Sequence, residues 1–100
     1  MVRHVILWKL KDQYSGMEMD QIKAEIKEGL EGLQGKIPGL IDIKVYTKEL
    51  SSSNMDLMLD STFEDEAALK GYSTHPEHVA IANNKVRPFT AERKCLDFVM

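Results

Sequence analysis

The spacing of apolar residues limits the folds open to this chain more than any other feature of its sequence. Residues 2–11 alternate with a period of two, as in a β-strand, and put one set of side chains on a common face: His4, Ile6, Trp8 and Leu10. Val5 and Leu7 lie on the other face of this strand. Residues 17–34 instead carry apolar side chains at steps of three and four, the period of an amphipathic helix. The chain therefore begins with a strand followed by a helix.

The rest of the chain uses the same two periods in a different order. Strand patterns cover residues 40–48 and 55–62, and the polar tract between them predicts an antiparallel hairpin. We expect the first of these strands to place one set of side chains on a common face: Ile41, Ile43, Val45 and Thr47. Short helices are predicted at residues 64–72 and 76–86, because a proline suits the first turn of a helix but not its interior. A last alternating segment, residues 91–100, completes the sheet.

The order of these elements predicts the fold class. A β-α-β-β-α-β order is the ferredoxin-like pattern of the α+β class, in which one face of a four-stranded antiparallel sheet carries both helices. A chain of 100 residues suffices for one such core, so we predict a single domain over residues 1–100. The other face of the sheet would expose Val5 and Leu7 to water. A second copy of the same sheet is the simplest cover, which predicts a homodimer in which two sheets form an α/β barrel.

Composition and charge exclude several classes of function. The formal charge of −3 and the pI near 5.6 give none of the positive surface that phosphate backbones require, so we expect no nucleic-acid partner. No stretch approaches the roughly 20 apolar residues of a membrane span, and the first residues lack the pattern of a signal peptide. A lone cysteine, Cys95, fits a reducing compartment. We therefore expect a cytoplasmic protein with no membrane partner.

One run of residues has a distinctive order: Tyr72-Ser73-Thr74-His75-Pro76-Glu77-His78-Val79. With this run, and with shorter segments at residues 3–11, 37–40, 63–65 and 93–98, the sequence resembles the stress-responsive dimeric α/β-barrel (Dabb) family over nearly its whole length. The resemblance implies the ferredoxin-like fold and a homodimer. It does not by itself imply one activity, because this fold hosts many chemistries.

The resemblance also suggests roles for three residues. One member of the family, the plant olivetolic acid cyclase, closes a linear polyketide by an aldol-type condensation without a cofactor. Its catalytic Tyr and His fall on Tyr72 and His78 of this chain, and a further pocket His falls on His4. The resemblance thus implies His78 as a general base and Tyr72 as the group that orients a substrate carbonyl.

Strand alternation and the resemblance together predict a pocket between the helices and the sheet. Beyond Tyr72 and His78, its predicted lining comprises five residues: His4, Ile6, Trp8, Leu30 and Val79. Two functions would use such a pocket without a cofactor. The preferred one is a non-catalytic homodimer that binds a small molecule, and the alternative is a cyclase-like acid/base enzyme. Monooxygenase chemistry, found in related dimeric barrels, has no distinctive mark in this sequence.

The histidines are also the first candidates for metal ligands. No cysteine or carboxylate stands beside His4, His75 or His78 at a recognisable ligand spacing, so the sequence predicts no metal site. His75 is interpreted as a cap for the helix that follows it. Asp97, an unusual residue for a strand, is interpreted as an anchor for Arg93 or for a loop amide.

Overall fold

The computed structural model describes residues 1–100, and its helices and strands follow the predicted order. Their bounds are β1 (Val2–Leu10), α1 (Gly16–Glu31), β2 (Leu40–Tyr46), β3 (Leu57–Phe63), α2 (Glu66–Thr74), α3 (Pro76–Ile81) and β4 (Thr90–Val99). After α3 the chain makes a π-helical turn over Ala82–Val86 and a 3-10 turn over Arg87–Phe89 before it enters β4. The predicted second short helix therefore ends in a widened turn rather than in regular α-helix.

The four strands form one sheet in the order β2-β3-β1-β4. Each neighbouring pair is antiparallel, with β1 between β3 and β4 and with β2 paired to β3 as the predicted hairpin. This topology confirms the ferredoxin-like fold. It also makes β1 a central strand, so a side chain on β1 has neighbours on two strands that are distant in sequence.

The alternation of β1 sets which side of the sheet is buried. Its even-numbered residues are buried and its odd-numbered residues are half-buried, as predicted. The buried side packs against α1 through Ile22, Ile26 and Leu30, and Ile26 is fully buried. The helices cover this face alone, and we call the other one the open face.

The prediction for β2 was wrong at one position. The pairing of β2 with β3 shifts between Leu40 and Asp42, so Ile41 lies in a β-bulge. A bulge adds one residue and reverses the alternation that precedes it. Leu40 is therefore buried and Ile41 is 39% exposed, whereas Ile43 and Val45 share one face as predicted, and that face is buried.

Two polar side chains, Glu31 at the end of α1 and Gln34 in the turn that follows it, lie along the free edge of β2. Gln34 donates from Nε2 to the carbonyl oxygen of Ile41 at 2.6 Å and accepts from the Ile43 amide at 3.1 Å. Glu31 accepts from the Val45 amide at 2.9 Å. Unpaired backbone groups on an edge strand invite pairing with other chains, and these side chains occupy them. The end of α1 and the turn that follows it therefore cover this edge of the sheet.

The break between α2 and α3 positions the residues of the predicted site. Asp65 caps α2 by accepting from the Ala68 amide at 2.8 Å. His75 ends α2 and caps α3, because its Nδ1 accepts from the Glu77 amide at 3.2 Å. This confirms the capping role predicted for His75. None of the helices is both long and apolar enough to cross a membrane.

Candidate functional site

A cavity of about 380 Å³ lies between the helices and the sheet. Its apolar wall includes Ile6 and Trp8 from β1 and Leu30 from α1, together with Leu59, Ala82 and Val86. Its polar lining comprises His4, Tyr72, Ser73, His78, Arg87, Thr90 and Arg93. Of the residues predicted for this pocket, Val79 alone does not line the cavity. It follows His78 in α3.

Tyr72, near the end of α2, supplies a hydroxyl at the polar end of the cavity. The residue is 1% exposed, and its hydroxyl has no hydrogen-bond partner. Its ring packs 5.0 Å from that of Phe63 and 6.0 Å from that of His4. Burial raises the pKa of Tyr72 well above its usual value. The phenol therefore stays protonated and is available as a hydrogen-bond donor.

His78, in α3, lies against Tyr72. The centroids of the two rings are 4.1 Å apart, and the ring planes are tilted by 35°. The Nδ1 atom of His78 lies 3.3 Å from the carbonyl oxygen of Ser73, which can only accept, so Nδ1 carries the proton and Nε2 is left as the basic nitrogen. Burial lowers the pKa of His78, and the positive charges of Arg87 and Arg93 add to this effect. The imidazole is therefore neutral at pH 7 and able to accept a proton.

His4 lies on β1 directly opposite Asp97 of β4, and its Nδ1 atom is hydrogen-bonded to the Asp97 carboxylate. The interpretation of Asp97 as an anchor for Arg93 or a loop amide was therefore wrong. Cys95 joins this pair from the same face of β4, with its sulfur 3.5 Å from the Asp97 Oδ1 atom. Burial raises the pKa of the Cys95 thiol, and the Asp97 carboxylate raises it further.

The sequence did not predict that Cys95 and Asp97 would lie next to His4. The one signal available was their two-residue spacing, which places both on one face of a strand. Which residue of β1 they would meet depends on the register between two strands at opposite ends of the chain. His75, the remaining histidine, is not part of this site, because it caps α3.

The model of the Stress responsive A/B Barrel Domain matches residues 2–100. The chain belongs to the stress-responsive α/β-barrel (Dabb) family. No curated protein matches its sequence.

Solved structures similar to this Dabb chain share its fold over nearly their whole length. A dimeric protein of unknown function and ferredoxin-like fold from Bacteroides fragilis is 30% identical, with a TM-score of 0.91, and the match covers 99% of this chain and 95% of that one. A Dabb family protein from Mesorhizobium loti is 22% identical, with a TM-score of 0.76 and coverage of 99% and 95%. A hydroxynitrile lyase from Passiflora edulis is also 22% identical, with a TM-score of 0.73 and coverage of 99% and 92%. The last two likenesses concern the fold alone.

Proposed function

We propose that this Dabb protein is a homodimer that binds a small, largely apolar molecule carrying a hydrogen-bond acceptor in the cavity between helices and sheet. The observation that carries the proposal is the Tyr72 hydroxyl, which is buried at the polar end of this cavity without a partner. Buried polar groups in folded proteins are nearly always hydrogen-bonded. A hydrogen-bond acceptor on a bound ligand, such as a carbonyl oxygen, would give the Tyr72 hydroxyl its missing partner.

The walls of the cavity define the rest of the ligand. Trp8, Leu30 and Leu59 offer flat and branched apolar surface opposite the polar end. The volume of about 380 Å³ lies at the small end of the range of ligand pockets, about 300–1,000 Å³. An aryl ketone meets both requirements, because its ring suits the apolar wall and its oxygen suits Tyr72.

The open face of the sheet supports the homodimer. Val5, Leu7 and Met58 lie at its centre, and Leu96 and Phe98 of β4 extend it with exposures of 63% and 40%. Exposed apolar surface of this kind marks an interaction site. The Bacteroides fragilis protein that shares 30% identity is dimeric, which agrees with a second copy as the partner.

Binding can be tested with acetophenone, an aryl ketone, because the only tryptophan of the chain lines the cavity. We expect a saturable change in Trp8 emission on titration. Ethylbenzene, which has the same ring but no oxygen, should bind more weakly because it leaves the Tyr72 hydroxyl unpaired. Equal affinity for the two compounds would contradict the role of Tyr72, and absence of saturable binding of either would contradict the choice of an aryl ligand.

A second function is favoured by the geometry of His78. A neutral imidazole with a free Nε2 atom next to a protonated phenol is the pair needed to remove a proton beside a carbonyl group. His78 would accept the proton, and Tyr72 would donate a hydrogen bond to the oxygen as it becomes an enolate. This is the chemistry of a cofactor-free acid/base enzyme of the cyclase type.

That function can be tested without knowledge of the natural substrate. In D₂O, the enzyme should catalyse exchange of deuterium into the methyl group of acetophenone, which proton NMR follows directly. We expect His78→Gln to abolish the catalysed exchange. His75→Asn is the matched control, since Asn also caps helices and His75 lies outside the cavity. If His78→Gln catalysed the exchange at the unmodified rate, His78 would not be the base. The proposed catalytic function would then be contradicted, and the binding function would be unaffected.

The single cysteine bears on the compartment in which this protein works. Cys95 is free. Free thiols persist where glutathione and thioredoxin keep them reduced, which supports the cytoplasm as the location. Fractionation of cells that express the protein at its native level would test this.

A further inference from the structure

Three possible metal ligands of different chemical types meet on the helix-facing side of β1 and β4. They are the imidazole of His4, the thiol of Cys95 and the carboxylate of Asp97, and one ligand atom from each lies within 4.8 Å of the other two. We propose that these side chains bind a divalent transition-metal ion of the Zn²⁺ or Co²⁺ type. The proposed metal site borders the small-molecule cavity, because His4 lines that cavity whereas Cys95 and Asp97 do not.

The distances between the ligand atoms suit such an ion. The Cys95 sulfur is 3.5 Å from the Asp97 Oδ1 atom and 4.0 Å from the His4 Nδ1 atom. With metal–ligand distances of about 2.0–2.3 Å, the corners of a tetrahedral site lie roughly 3.3–3.6 Å apart. The two edges that involve sulfur are therefore close to the required length. The His4–Asp97 hydrogen bond has to open, and the exposed Asp97 carboxylate is free to rotate.

The strands hold these ligands in place before any ion binds. His4 and Asp97 are directly opposite each other, and Cys95 is two residues along β4 on the same face. Sites built on strands keep their geometry better than sites on loops. His4 is also buried, so its ring has little freedom to turn away.

The chemical types of the ligands select the class of ion. Thiolate and imidazole favour zinc, cobalt and similar ions, whereas magnesium and calcium prefer oxygen ligands only. A thiolate and a carboxylate together balance the charge of a divalent cation. Three protein ligands leave one position of a tetrahedral ion for water or another molecule, as in catalytic rather than structural zinc sites.

The open position would face a second cavity, of about 580 Å³, that His4, Cys95 and Asp97 all line. This cavity is on the helix side of the sheet, so a partner on the open face leaves it accessible. Arg93 lines it as well, and its positive charge opposes a cation. This charge lowers the affinity expected for the ion.

Cobalt is the probe that tests the site, because a cobalt–thiolate bond gives a charge-transfer absorption band in the near ultraviolet. The reduced full-length protein should develop this band, saturate at one cobalt ion per chain and lose the band when zinc is added. Cys95→Ser should abolish the band. Asp97→Asn should weaken zinc binding at least about tenfold, the loss seen even for groups that only support a metal ligand.

The test uses two independent variants, Cys95→Ser and Asp97→Asn, and one matched control. Asp20→Asn removes an exposed carboxylate from α1, away from the cluster, and should leave the affinity unchanged. The melting temperatures of the metal-free variants report whether each is folded, and if one variant fails to fold the other still decides. Absence of the band at millimolar cobalt, saturation well below one ion per chain, or wild-type affinity in folded Asp97→Asn would each overturn the proposal.

Discussion

Replacing Tyr72 with Phe removes a single oxygen atom, and the structure predicts opposite effects on stability and on binding. The hydroxyl is buried and has no partner, and burying such a group costs about 1–3 kcal/mol. Tyr72→Phe removes this cost and keeps the ring that packs against Phe63. We therefore expect the free energy of unfolding to rise by about 1 kcal/mol, the lower end of that range.

The gain should be measurable in the protein without ligand. For a domain of this size, 1 kcal/mol corresponds to a rise in Tm of about 4–8 °C. Urea unfolding should be compared at one fixed protein concentration, since the stability of a dimer depends on concentration. Tyr14→Phe is the matched control, because Tyr14 is half-buried beside Phe89 and does not line the cavity.

The same variant should bind acetophenone more weakly. Loss of one hydrogen bond, worth about 0.5–1.5 kcal/mol, corresponds to a Kd raised about two- to twelvefold. The Tyr14→Phe control should bind as the unmodified protein does. If Tyr72→Phe lowered the free energy of unfolding by about 1 kcal/mol, the hydroxyl would be a bonded structural group and the reasoning would be refuted.

Three further predictions concern pH, the dimer and a turn. Burial lowers the pKa of His78 below its usual 6.5, so the unfolded chain takes up a proton first as the pH falls. Stability should decline below about pH 6.5, and His78→Gln should flatten that decline in urea unfolding curves; equal slopes would contradict it. Leu7→Lys places a charge on the open face and should weaken the dimer by about 1.5–3 kcal/mol per protomer, whereas light scattering that shows an unchanged dimer on dilution would rule out this face as the interface. Gly39→Ala should lower the free energy of unfolding by about 1–3 kcal/mol, because φ is +80° and the new methyl group would collide with Ala68. Gly35→Ala, which has a similar φ but open space around it, should be milder, and equal melting temperatures would exclude the collision.

The periodicity of apolar residues along the chain was enough to predict much of the fold. The alternation of β1 assigned Ile6 and Trp8 to the buried face, and the structure places them in the core. Pro76 located the start of α3, because a proline at the first helical position removes no hydrogen bond. Such features depend on neighbours along the chain, so one sequence suffices to read them.

Tertiary structure decided which residues of α1 contact the sheet. It also decided at which residue the inward and outward alternation of β2 reverses. Lys27 donates to the Val45 carbonyl oxygen, and a backbone partner of this kind leaves no mark in the sequence. Glu31 meets the Val45 amide only when the helix lies along the edge of the sheet. The bulge at Ile41 is equally hidden, since it depends on how β2 pairs with β3.

The contact of His4 with Cys95 and Asp97 also depends on tertiary structure alone. His4 and Asp97 are 93 positions apart, and the sequence around His4 contains no cysteine or carboxylate that would suggest a ligand set. The alternation of residues 91–100 places Cys95 and Asp97 on one face of β4. It did not predict their partner on β1, because register between two distant strands is fixed by the packing of the whole sheet.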